Sequence, residues 1–84
     1  MSKIRNVNKS TRTLNSYQFG WLMRELQLDF TTMHFKCGHG PVRWQGWDVG
    51  KAEQLEGGDW RVEINGATEK QRDLMNLFTN AKLY

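Results

Sequence analysis

The sequence predicts an α+β domain in the order α-β-β-β-α, a three-stranded antiparallel sheet with two helices on one face. Three patterns lead there. Apolar residues recur at helical spacing near the start, they alternate with polar ones over residues 60–65, and they return to helical spacing near the end. With 84 residues there is room for one such domain and a short extension. We place the domain at residues 14–84 and read residues 1–13 as a basic, flexible tail.

The first helix covers residues 16–28, with Asn15 or Ser16 as its cap. Phe19, Leu22, Met23 and Leu26 form its apolar stripe. Gly20 is costly in a helix interior and suggests close approach by another chain segment. Residues 30–36 are β-branched and aromatic, which predicts a strand. Cys37-Gly38-His39-Gly40-Pro41 follows as a turn, and residues 42–49 as the returning strand. Residues 50–58 read as a polar connection. Trp60, Val62 and Ile64 then alternate with Arg61, Glu63 and Asn65, as a strand with one buried face requires. Thr68 and Gln71 have capping-box spacing and open the last helix, residues 69–81, with Leu74, Leu77, Phe78 and Ala81 on one side.

This element order resembles that of the double-stranded RNA-binding domain, a family of similar length whose last helix begins with a basic cluster. Here that helix begins Thr68-Glu69-Lys70-Gln71-Arg72, with an acid among the bases and without paired lysines. The resemblance covers residues 16–83 in order of elements, not in motif. What it implies is a nucleic-acid-binding surface.

Charge is unevenly distributed. The net value is +3, from 12 Lys and Arg against 9 Asp and Glu. Lys3, Arg5, Lys9 and Arg12 lie in the first 13 residues with no acid among them, leaving eight bases against all nine acids in the remainder. Such a segment either adds salt-sensitive affinity for phosphates or is a solvated leader. No apolar run is long enough to span a membrane, and the first residues lack the apolar core of a signal peptide. Cys37 is the single cysteine, which fits a reducing, cytoplasmic setting and no internal disulfide.

Chemistry-bearing motifs are sparse. His34, Cys37 and His39 are the clustered metal-ligand types. On a strand, however, His34 and Cys37 leave opposite faces, and no carboxylate stands by as a second ligand or base. Residues 46–52, GWDVGKA, are one residue short of a phosphate loop and lack its Ser or Thr. We therefore expect no enzymatic activity, no cofactor and no metal.

Two surfaces are candidates for binding. On the first helix, Tyr17, Trp21 and Leu28 fall opposite the core stripe, where charge is usual. That face is either an aromatic protein-contact surface or is covered by the tail or by residues 50–58. On the open side of the sheet, parity places Thr32, His34, Lys36, Arg43, Gln45, Trp47, Arg61, Glu63 and Asn65. Ten aromatic residues are many for so small a core.

The expectation is thus a small non-enzymatic protein-binding module acting by steric occlusion through Tyr17, Trp21, Leu28 and Trp47. Phage or mobile-element inhibitors of host proteins have this kind of make-up, and a homodimer through the helix stripe is a variant. The alternative is a nucleic-acid-binding module using Lys3, Arg5, Lys9 and Arg12 of the tail with Lys36, Arg43 and Arg61 of the sheet face.

Overall fold

The computed structural model describes residues 9–83. Its elements are β1 (Lys9–Leu14), α1 (Ser16–Glu25), β2 (Leu28–Asp29), α2 (Thr32–Cys37), β3 (His39–Trp44), β4 (Trp47–Gln54), β5 (Trp60–Asn65) and α3 (Glu69–Asn80). The class is α+β, with three helices and one antiparallel sheet of five strands in the order β1-β5-β4-β3-β2. The expected three-stranded sheet and α-β-β-β-α order are thus corrected, and with them the topological likeness to the double-stranded RNA-binding domain.

The two added strands are the sheet's edges. Lys9–Leu14 pairs along its length with β5, from Lys9 opposite Asn65 to Leu14 opposite Trp60. These residues are therefore strand rather than tail; Lys3 and Arg5 lie outside the described residues. At the other edge Leu28 and Asp29 pair with Trp44 and Arg43. β1 and β2 run parallel at opposite edges, so α1, which joins them, crosses the sheet on one face.

Asn15 caps α1 in a capping box. Its side chain accepts from the Gln18 amide at 2.8 Å, and the Gln18 side chain accepts from the Asn15 amide at 3.0 Å. Gln27 adopts a left-handed backbone, φ 56°, which stops the helix short of the predicted Leu28. Residues 32–37 form the short helix α2, not the expected strand. Thr31 caps its start, and Gly38 at φ 88° closes its end.

Gln45 and Gly46, at φ 52° and 86°, make a two-residue turn between β3 and β4. Both φ values are positive, as a type I′ hairpin turn requires. The predicted strand over residues 42–49 is therefore cut by a hairpin, and most of the predicted polar connection is β4. A register shift between Val42 and Arg43 bulges the pairing at Val49.

The core lies between the sheet's inner face and the helices. Leu14, Phe19, Leu22, Val42, Val49, Val62, Ile64, Leu74 and Phe78 are fully buried. Four rings gather at one end of it. Phe19, Phe30, Phe35 and Trp60 all lie within 5.6 Å of one another, centroid to centroid. Offset and edge-on ring pairs of this kind add to simple area burial. Part of the aromatic content is thus absorbed, Phe19 and Trp60 in the core and Phe30 against it, while Phe35, delivered by α2, stays 41% exposed at the margin.

Candidate functional site

The strand registers decide which side chains share each face of the sheet. On the face away from the helices stand the cations Lys9, Arg43, Lys51 and Arg61 and the anions Asp29, Asp48, Glu53 and Glu63. They interleave. Arg61 pairs with Glu53 at 3.2 Å, Arg43 with Asp48 at 3.2 Å and Lys9 with Glu63 at 3.8 Å. Exposed pairs of this kind stabilise little, but they cancel the field a polyanion would respond to. The expected basic and aromatic sheet face is corrected accordingly. Thr32, His34 and Lys36 belong to α2 and Gln45 to the hairpin turn.

Trp47 also moves. It pairs directly with Trp44, which follows Val42 in parity on the inner face. It therefore projects on the helix-bearing side, and it is 70% exposed. Trp44 and Trp47 line a hollow of about 430 Å³ with Gln45 and the first turn of α3, residues 68–71. That turn is held in place. Thr68 and Gln71 form a reciprocal capping box, and the buried Gln71 donates from Nε2 to the Asp48 carbonyl at 3.4 Å. The hollow thus has two indole walls and a fixed polar rim.

Arg12 has a structural task. Its Nη1 donates to the carbonyls of Phe78 and Ala81, both at 2.8 Å, and to that of Thr79 at 3.4 Å. These carbonyls end α3, where a helix leaves acceptors unpaired and carries partial negative charge. The guanidinium is engaged with the chain itself rather than presented to phosphates.

On α1, Tyr17 is 76% exposed, while Trp21 is partly buried against the core. Leu28 is only 7% exposed. Because the helix has ended, Leu28 sits on β2 opposite Trp44 and faces inward. It is a core residue, and its expected place on the contact stripe is corrected. Residues 50–58 lie in β4 and its turn to β5 and do not fold over α1. Tyr17, Gly20, Trp21 and Arg24 line one shallow hollow. Gly20 was expected to admit a neighbouring segment, yet a Cβ built there meets nothing within 4 Å.

His34 and Cys37 lie one turn apart on α2, so the opposite-parity argument does not hold. His34 Nδ1 is 2.9 Å from the Thr31 hydroxyl, and its ring occupies the space a side chain at position 40 would need. Cys37 is exposed. Among the described residues no group of three or more His, Cys, Asp or Glu is placed to hold a metal, and no helix is long and apolar enough to cross a membrane. An open groove runs past Cys37, His39, Pro41, Lys51 and Glu53; it lacks the enclosure of a small-molecule site.

No protein-family model matches the chain, nor does any curated protein or solved structure at a significant level.

Proposed function

We propose that this chain is a small non-enzymatic protein-binding module that acts by occupying its partner's surface. The observation that carries the reading is Trp47: a large indole 70% exposed, on a hairpin fixed by a tight turn, beside an apolar hollow walled by Trp44. Exposed tryptophan next to a cleft is the combination that dominates protein interfaces, because the ring brings a large contact area at low entropic cost. Occlusion needs no catalytic group, and an inhibitor of phage or mobile-element type is one form it takes. The sheet's opposite face, with its charges balanced and mostly paired, offers no comparable anchor.

The test compares wild-type and Trp47→Ala chains as immobilised baits in lysate of the native host, read by mass spectrometry. A partner enriched by the wild type should be lost with Trp47→Ala, since truncating a central indole weakens binding by at least about 2 kcal/mol, roughly 30-fold. Circular dichroism of the two chains should coincide. Identical capture by both baits would refute the assignment.

A further inference from the structure

The short helix α2 is the least anchored element of the fold. None of its six residues is buried, and His34 alone among them is half-buried. A helix of this length has no stability of its own, so side-chain contacts must hold it. There are two. The Phe35 ring leans on Phe19, Phe30 and Trp60, at centroid distances of 5.5, 5.0 and 5.6 Å, yet stays exposed at the margin of that cluster. The His34 ring lies over Gly40, where a side chain would otherwise stand. The chain on either side of α2 is fixed more firmly. Asp29 pairs with Arg43 on β3, and the Gly38 carbonyl accepts from the Gln54 amide of β4 at 2.7 Å.

What α2 covers is an edge. β2 pairs with β3 at Trp44 and Arg43 only. Among the described residues, 39–42 of β3 therefore have no strand beside them on that side, and α2 packs there instead. A bare strand edge is a template for pairing with another chain, and a covering helix is one way of protecting it. An element with few buried contacts opens at a lower free energy than the whole domain. We propose that α2 is a strap, pinned at both ends, that opens and closes while the sheet stays folded. Opening withdraws Phe35 and bares the side of Phe19 and Trp60 that it covers, together with the edge of β3. The Trp47 hollow lies at the other end of β3 and takes no part.

Hydrogen exchange of the full chain, read amide by amide by nuclear magnetic resonance under native conditions, tests the strap. The Phe35 and Gly38 amides, bonded at 3.1 and 2.9 Å to the Thr31 and His34 carbonyls, report on α2. The Ala52 and Val62 amides of the paired strands β4 and β5 report on the sheet. The strap amides should exchange at least about tenfold faster than the sheet amides, at rates that hardly respond to low urea, because little surface is exposed when they open. Ile64→Val weakens the core beneath the sheet and leaves α2 untouched. It should speed the sheet amides about fivefold and leave the strap amides within about twofold of wild type. An Ile64→Val effect of one size on both sets, with one urea dependence, would overturn the proposal, since α2 would then open only with the whole chain. So would strap amides that exchange as fast as in an unfolded chain, which leaves no closed state.

Discussion

Arg12 offers the sharpest test of how the fold is held, because sequence and structure assign it opposite tasks. As part of a basic tail it would contribute to phosphate affinity and nothing to stability. In the structure it reaches from β1 to close the end of α3, a helix with no basic residue in its own last turn. Replacing it with methionine keeps an apolar stem and removes the donor. Two hydrogen bonds of 2.8 Å are lost, each to a charged group. The site is only partly buried, so about 1 kcal/mol apiece is the appropriate end of the range. Loss of a cation at a helix C-terminus adds roughly 0.5 kcal/mol.

The expected cost of Arg12→Met is therefore about 2–3 kcal/mol. For a domain of this size that lowers the melting temperature by roughly 10–20 °C. Urea unfolding followed by far-ultraviolet circular dichroism reads it directly. Arg12→Lys retains the charge but not the fork, and should recover about half. A methionine variant within about 0.5 kcal/mol of wild type, as for an ordinary surface substitution, would refute the capping role.

Two further substitutions test the packing. Leu28→Ala should destabilise by about 2–5 kcal/mol in the same unfolding assay, because the side chain is buried on β2; an unchanged midpoint would return Leu28 to a surface role. Gly40→Ala should cost about 1–3 kcal/mol, since its Cβ would enter the space of the His34 ring. A double-mutant cycle with His34→Ala should relieve most of that cost, and additive costs would disprove the contact.

The elements legible in the sequence are those whose signal is local. Trp60, Val62 and Ile64 alternate against polar neighbours, and the strand they predict has the bounds observed. Thr68 and Gln71 mark the start of α3 because a capping box is complete within four residues. The errors arise where partners are distant in sequence. Residues 9–13 read as the end of a charged leader, and what makes them strand is the backbone of β5, about fifty residues on. Residues 50–54 are poor strand formers held in β4 by neighbours on both sides. Residues 31–37 mislead through their β-branched and aromatic content. Thr31 and Gly38, a start and a stop signal for a short helix, outweigh that content.

The candidate site was partly legible for the same reasons. Tyr17 follows from helical spacing and is exposed as expected, whereas Leu28 was carried along by extending the helix one turn too far. The turn at Gln45-Gly46 lacks the usual Asn-Gly or Asp-Gly signature. Reading through it reversed the parity of Trp47 and put the indole on the wrong face of the sheet. Gly20 reads as a point of close approach, and among the described residues nothing stands within 4 Å of a Cβ built there.

The layering explains why α1 has an outer face at all. Five strands span about 19 Å from edge to edge. A ten-residue helix is about 15 Å long, so α1 with its short flanking links just bridges β1 to β2 and must lie over the middle of the sheet. Its inner stripe, Phe19, Leu22 and Met23, is fully committed to the core. Its outer stripe is then the outermost surface of the helix layer. The comparison with α3 is informative. There the exposed positions are Glu69, Lys70, Arg72, Asp73, Asn76, Thr79 and Asn80, a solvated composition, together with Leu77, which was expected on the apolar side and is 60% exposed. On α1 the exposed positions are Ser16, Tyr17, Gly20, Arg24 and Glu25, with Trp21 partly buried beside them. Two helices on the same sheet face therefore have unlike outer surfaces.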